Sequence, residues 1–311
     1  MKAIFGISKI KPSRNKNVLA IGIFDGVHVG HRALLRQAVM RARALGIGAA
    51  VLTFHPHPVH VLHPKHYQPL ISSLDYRLQL LEQLGIDQTI VVRFTKKFAA
   101  LSAEQFIKKY LVKKICPVEI FVGDDFRFGE NRGGTIDYFV CAGQQFGFKV
   151  NGIQTVKTSA EKVGSTAIRQ LIAGGHLSKA EKLLARKVSI LGRVVKGDGR
   201  GKRLGFPTAN IELDGEVLLP PSGVYAAYVT YKKKKYSSMV NIGHCPTFAS
   251  TKKTLCCEAH IFGFTGNLYN QNILIEFVKK IRNEKLFASS EMLIQQLSQD
   301  KKAALKILLS R

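Results

Sequence analysis

Cysteine, acidic side chains and long apolar runs are what this chain has little of. Its 311 residues include only five cysteines, Cys116, Cys141, Cys245, Cys256 and Cys257. They are odd in number, form no C-x-x-C pair, and the adjacent Cys256 and Cys257 are poorly placed to bridge each other, so reduced thiols are expected. No stretch reaches the roughly 18 to 20 apolar residues of a membrane span, and Met1 to Lys16 forms no signal-type apolar region. The expectation is a cytoplasmic protein without a membrane partner. Acidic residues number 21 against 47 lysines and arginines, a formal charge of +26. Such a balance ordinarily raises nucleic-acid binding, but zinc-finger spacing, a basic zipper and an RNP aromatic signature are all missing. The cations are dispersed, and their one run, Lys232 to Lys235, lies between Tyr231 and Tyr236 where a hairpin turn is expected. No nucleic-acid partner is therefore expected; the charge reads as a solvated surface suited to anionic small substrates.

What is present begins with length. At 311 residues and 46% hydrophobic content the chain can bury two cores, so two domains are expected. The most informative segment is Gly22-Ile-Phe24-Asp25-Gly26-Val-His28-Val-Gly30-His31. It follows an apolar run, Val18 to Phe24, and precedes a helical pattern, Arg32 to Leu45, so it should occupy a strand-to-helix turn. Unpaired N–H groups and the positive end of the helix dipole suit such a turn to phosphate, and Gly22, Gly26 and Gly30 allow close approach. Two imidazoles three residues apart add donors for non-bridging oxygens, which points to attack on a nucleotide α-phosphate.

Strands are expected at 49–54, 89–94, 118–123 and 148–156, alternating with helices at 74–84 and from Ser102, which with Gln105 has capping-box spacing, to Lys114. That alternation predicts a parallel sheet with helices on both faces, its ligands at the carboxyl ends of strands. A helical turn at 167–172 and a helix at 177–185 lead to a boundary near residue 186. Beyond it, apolar segments at 188–195, 224–231, 236–242, 258–264 and 273–278, separated by turn residues, predict an antiparallel barrel or sandwich, closed by a helix from Ser290 to Leu309.

Further segments fit the opening motif. Gly123-Asp124-Asp125-Phe126-Arg127-Phe128-Gly129 follows a strand, and Gly164-Ser165-Thr166-Ala167-Ile168-Arg169 opens a helix. Ser165 and Thr166 could bind phosphate oxygens and Arg169 could take charge from a departing pyrophosphate, although the Ser-Thr pair alone also reads as a helix cap. His55, His57, His60, His63 and His66 are broken up by Pro56, Pro58 and Pro64 and lack a completing ligand, so a substrate-lining loop is preferred to zinc. In the second half, Gly197, Gly199, Gly201, Lys202 and Gly205 lead to Thr208 and Asn210. The spacing is not that of a Walker loop, yet glycines, cations and two hard oxygen ligands suit ATP with Mg²⁺.

Taken together, these motifs resemble the bacterial bifunctional riboflavin kinase/FAD synthetase family over nearly the whole chain. The first part is similar through Gly22 to His31, Thr53 to Pro58, Gly123 to Gly129 and Ser165 to Arg169. The second is similar through Gly197 to Asn210, Ser222 to Tyr225, Asn241 to Gly243, Pro246 to Phe248, Glu258, Leu268-Tyr269 and Arg282 to Phe287. The resemblance implies an α/β Rossmann-like nucleotidyltransferase domain over 1–185 and a six-stranded antiparallel riboflavin kinase barrel with a C-terminal helix over 186–311. It implies riboflavin, FMN and ATP as small-molecule substrates and Mg²⁺ as cofactor. Riboflavin would be phosphorylated to FMN with Glu258 as general base and Thr208 and Asn210 on Mg²⁺. FMN would be adenylylated to FAD with His28, His31 and Arg169 stabilising charge. Phe24, Asp25 and Asp125 join the glycines, Ser165 and Thr166 as nucleotide-binding residues. Gly164 and Ala167 depart from a serine and an arginine usual in the family, which keeps open an alternative, a kinase with a weak or inactive adenylyltransferase. Lys196 and Cys245 stand where histidine and arginine are common.

Overall fold

The computed structural model describes all residues except 11–15, 155, 156, 159, 160, 198, 214–216, 246–253 and 311. The chain divides into two compact units, Met1–Gln68 with Leu74–Ser165, and Pro69–Ser73 with Thr166–Arg311.

The first unit is built on six parallel strands, β1 (Lys2–Phe5), β2 (Asn17–Ile21), β3 (Gly48–His55), β4 (Gln88–Arg93), β5 (Pro117–Gly123) and β6 (Lys149–Ile153), in the order β1-β4-β3-β2-β5-β6. Central strands of a parallel sheet are buried on both faces and so read as continuous apolar runs. In β2, Leu19 and Ile21 join a core with Leu52, Ile90, Ile120, Phe106 and Phe139, while Val18 and Ala20 are buried on the opposite face. The helix Val29–Ala44 packs on β2, β3 and β5, burying Leu34, Leu35, Ala38 and Ala42. From β2 the chain builds outward through β3 and β4, then returns to place β5 on the other flank of β2. The loops leaving β2 and β5 therefore start side by side where the winding reverses, the crevice in which such sheets hold ligands.

The β2 strand stops at Ile21 rather than running to Phe24. Phe24 is left-handed, with φ 54° and ψ 31°, and a left-handed residue turns the chain out of the sheet. The capping box forms as expected, Gln105 N–H donating to Ser102 Oγ and Ser102 N–H to Gln105 Oε1, both at 3.1 Å. After Phe106, however, the helix widens to π winding over Ile107–Ile115.

A two-residue pairing of β7 (Lys157–Thr158) with β8 (Glu161–Lys162) precedes the helices Ser165–Ala173 and Leu177–Leu184. The second unit then closes six antiparallel strands into a barrel: β9 (Val188–Val195), β10 (Ala209–Glu212), β11 (Gly223–Tyr231), β12 (Lys234–Cys245), β13 (Thr254–Ile261) and β14 (Asn272–Arg282), ordered β10-β13-β12-β11-β14-β9. The short β10 pairs with both β13 and β9, which completes the circuit. The Lys232-Lys233 turn joins β11 to β12 as a two-residue hairpin with both residues at positive φ. Cys116, Cys141 and Cys257 are free thiols, but Cys256 is half of a disulfide, a correction to the expectation of reduced thiols throughout. Sequence spacing does not reveal which cysteines strand pairing brings within reach. Among the described residues no helix is long and apolar enough to cross a membrane.

The final helix, Ser290–Leu309, packs Ala304 and Leu308 against Val224, Ala226, Met239 and Val278 on the outer barrel wall. Buried Asp300 fixes it there, accepting from Arg282 Nε at 3.0 Å, Arg282 Nη2 at 2.7 Å and Gln296 Nε2 at 2.9 Å. Asp300→Ala strands a mostly buried guanidinium, so we expect a loss of about 3–5 kcal/mol in denaturant-induced unfolding of this unit. A loss below about 1 kcal/mol, the scale of an exposed pair, would contradict that role.

Candidate functional sites

In the first unit the loop after β2 is organised around the carbonyl of Ile23. Thr53 Oγ1 donates to it at 2.9 Å and Arg77 Nη1 at 2.6 Å, with Arg77 also 3.4 Å from Thr53 Oγ1. Arg77 is 1% exposed, a cation set directly beneath the loop. Past Ile23 come Phe24 and Asp25, both buried, then Gly26 at φ 74° and His28, which caps the helix Val29–Ala44. His28 Nδ1 accepts from His31 N–H at 3.4 Å, so its proton, when neutral, is on Nε2. The two imidazoles stack with centroids 3.6 Å apart and planes at 19°, and Phe24 meets His31 edge-on at 5.3 Å.

Two glycines make this packing possible. A Cβ on Gly22 would lie 2.9 Å from the Phe24 ring, and one on Gly30 would lie 3.2 Å from His28 Cε1. Burial, then the neighbouring His28 and Arg77, hold the His31 pKa well below its ordinary value, so His31 is neutral at pH 7. The structure thus brings Gly22, Phe24, Asp25, Gly26, His28, Gly30 and His31 into one helix-entry loop, as the sequence predicts. Asp125 is exposed on the loop leaving β5, beside β2 in the sheet. Ser165 Oγ donates to the Asp25 carbonyl at 3.3 Å. Thr166 and Arg169 belong to the other compact unit, where Arg169 Nε donates to the Pro69 carbonyl at 2.8 Å. A Cβ at Gly164 would meet nothing within 4 Å.

Two of the histidines after β3 make local contacts. His57 Nδ1 accepts from Val59 N–H at 3.2 Å, and His60 bonds the Gln68 carbonyl at 2.7 Å and stacks on Tyr67 at 4.6 Å. Arg77 escaped the sequence reading although a signal existed. It shares a helical stripe with Leu80 and Leu81, and a cation on an apolar stripe must find polar partners.

In the second unit, strand register builds a row. Asn210 on β10 lies opposite Glu258 on β13, which lies opposite Asn241 on β12, and directly paired residues share a face of the sheet. All three are half-buried. The glycine-rich segment lies against the Asn210 end of this row. A Cβ on Gly197 would collide with the Asn210 side chain, and one on Gly201 with the Phe206 carbonyl and, at 3.1 Å, with Thr208 Oγ1. Gly199 and Gly205 have φ of 69° and 80° with open space at the Cβ position. Phe206 N–H closes the turn onto the Gly201 carbonyl at 2.8 Å. Lys202 is exposed, and Thr208 begins the approach to β10. Bare backbone at Gly197 and Gly201 thus leaves room for the Asn210 amide and the Thr208 hydroxyl, two hard oxygen donors of the kind Mg²⁺ takes. Glu284, which sequence reasoning did not single out as a site residue, lies against Gly243, where a Cβ would collide with its carboxylate. Asp198, Pro246-Thr247-Phe248 and the Cys245 side chain lie outside the described residues.

Comparison with known proteins follows the same division. An FAD synthetase family model matches residues 10–167 and a riboflavin kinase family model matches residues 184–308. The chain is 39% identical to the bifunctional riboflavin kinase/FMN adenylyltransferase of Escherichia coli strain K12, covering 98% of this chain and 97% of that one. It is 37% identical to the protein of that name from Buchnera aphidicola of Schizaphis graminum, over 96% of each. For the one from Bacillus subtilis the identity is 35%, over 96% and 94%. Among solved structures, a Streptococcus pneumoniae protein described as a macrolide-efflux protein superposes with a TM-score of 0.83 at 30% identity, covering 98% of this chain and 99% of that one.

The depressed His31 pKa carries a prediction. A phosphate group beside the stacked imidazoles would offset the burial and cationic repulsion that keep His31 neutral, so its pKa must rise on binding. Inorganic pyrophosphate binding should take up protons at pH values between the free and bound pKa of His31, read by calorimetry in buffers of different ionisation enthalpy. His31→Asn should abolish that uptake; uptake unchanged in the variant would remove His31 from the phosphate site.

Proposed function

The chain belongs to the bifunctional riboflavin kinase/FMN adenylyltransferase family, and from that premise we propose how its residues divide two reactions. It phosphorylates riboflavin to FMN with ATP, releasing ADP, and adenylylates FMN with a second ATP to FAD, releasing pyrophosphate. We assign adenylylation to residues 1–185 and phosphorylation to 186–311, a division supported by a kinase match that begins at residue 184. ATP as donor in both steps fits a cytoplasmic setting.

The kinase reading is supported above all by the Asn210, Glu258 and Asn241 row, whose Asn210 end meets the glycine-rich segment. Glu258 accepts the proton of the riboflavin ribityl 5′-hydroxyl as that oxygen attacks the γ-phosphorus; the new O–P bond forms while the β,γ-bridging bond breaks and ADP departs. Thr208 and Asn210 would hold Mg²⁺, which when bound neutralises charge on the ATP phosphates. Gly197, Gly199, Gly201 and Gly205 let the backbone approach the phosphates, and Lys202 supplies charge.

For adenylylation, an FMN phosphate oxygen attacks the ATP α-phosphorus and pyrophosphate leaves. The nucleophile is already anionic and needs no base. His28 and His31, stacked over the helix entry, donate to the oxygens on which charge accumulates. The backbone of Gly22, Gly26 and Gly30, with Phe24, Asp25 and Asp125, cradles the nucleotide. Ser165, Thr166 and Arg169 are assigned to the departing pyrophosphate on the resemblance to the family.

Separate sites predict separable losses. Glu258→Ala should lower the rate of FMN formation about 10²–10⁴-fold, the range for a general base. FAD formation from supplied FMN should persist, both read by chromatography of the flavins. His31→Ala should do the converse, lowering FAD formation about 10²–10³-fold, the range for loss of a transition-state donor. Loss of both activities in either variant would overturn the division. Because the Gly164 Cβ position is open, Gly164→Ser should fold normally and raise the FAD rate; an unchanged rate would show that the hydroxyl is dispensable here.

A further inference from the structure

We propose that His260 is a positioning residue for phosphoryl transfer, tying the Phe206-Pro207-Thr208 segment to the strand that carries Glu258. The proposal rests on the kinase reading above and extends it to a side chain outside the reacting groups.

His260 lies on β13 two residues after Glu258, so both point from the same face of the strand. It is 7% exposed, and its Nδ1 is 2.7 Å from the Pro207 carbonyl. A carbonyl only accepts, so Nδ1 carries the proton and donates. The ring is seated between Phe206, at 5.4 Å and 62°, and Phe262, at 5.5 Å and 63°. Burial, reinforced by the charge of Lys301, lowers the His260 pKa against the raising effect of the Pro207 hydrogen bond, and Nδ1–H donates to the carbonyl in either protonation state.

The loop has reason to need such a tether. The bonds Phe206 N–H to Gly201 O and Gly205 N–H to Lys202 O close the turn within itself, while Gly199 and Gly205 give it backbone freedom. The bond from His260 reaches the turn from the barrel wall. Proline fixes its own φ, so holding the Pro207 carbonyl sets the remaining torsion before Thr208 and hence where the hydroxyl points. One imidazole thereby couples the proposed phosphate-side ligand, Thr208, to the register that presents Glu258. A displacement of about 1 Å at such a ligand is enough to cost catalysis heavily.

The test uses the full-length chain and two variants of similar chemistry. His260→Asn keeps an amide N–H near the Nδ1 position, whereas His260→Gln moves it toward the Nε2 position. We expect His260→Gln to raise the KM for ATP in riboflavin phosphorylation about tenfold and His260→Asn to stay within about threefold, the scale of one buried hydrogen bond. The KM for riboflavin and the rate of FMN adenylylation should not change in either, the latter showing that the chain is folded. Equal effects of the two variants, wild-type KM in His260→Gln, or parallel loss in both KM values with a fall in Tm would overturn the proposal. Thr208→Ala measured alongside separates the two levels. If it leaves the KM for ATP unchanged, the reading of the loop itself fails, and positioning by His260 fails with it.

Discussion

The carbonyl of Ile23 is the point on which the first site depends. It leaves the sheet directly after β2, at a position where ladder pairing has ended, and a buried carbonyl without a partner is costly. Thr53 from β3 and Arg77 from the helix Leu74–Gln83 both donate to it, so three distant parts of the chain converge on one oxygen. That convergence lets Phe24 adopt a left-handed conformation and turn the chain into the helix entry where His28 and His31 stack. It also buries a guanidinium near His31, adding to the burial and the His28 ring that together lower that imidazole's pKa.

The barrel reaches a similar end by different means. Its constraint is register: β10 is only four residues long, yet pairs on both edges, and so fixes Asn210 opposite Glu258. At Gly197 and Gly201 it is the absence of a side chain that matters, since Asn210 and Thr208 occupy space that Cβ atoms there would need. In both units a loop carbonyl, Ile23 or Pro207, is held by a side chain remote in sequence.

Legibility in the sequence followed the range of the interactions. The helix entry at Gly22 to His31, the capping box at Ser102 and the final helix could be read because each is decided within a few residues. The order of strands could not, because parallel neighbours such as β2 and β5 are nearly a hundred residues apart, with β3 and β4 between them in the chain. β10 was not read as a strand: four residues after a glycine-rich stretch carry too little periodicity. For Arg77 the apolar stripe shows only that a polar partner is needed, and for His260 no local pattern shows even that; their partners are carbonyls 54 and 53 residues away. The disulfide at Cys256 likewise had no local signal.

The sequence by itself determined the two kinds of module and singled out the motifs proposed to carry phosphate chemistry. Those properties rest on local patterns: apolar periodicity, glycine where backbone must stay bare, and histidine or hydroxyl residues at a helix entry. Only the tertiary structure decided that Asn210, Glu258 and Asn241 stand in one row, that burial together with His28 and Arg77 depresses the pKa of His31, and that His260 grips Pro207. Each depends on long-range packing, where burial strengthens electrostatic effects and strand register chooses neighbours, and neither is written in any short stretch of chain.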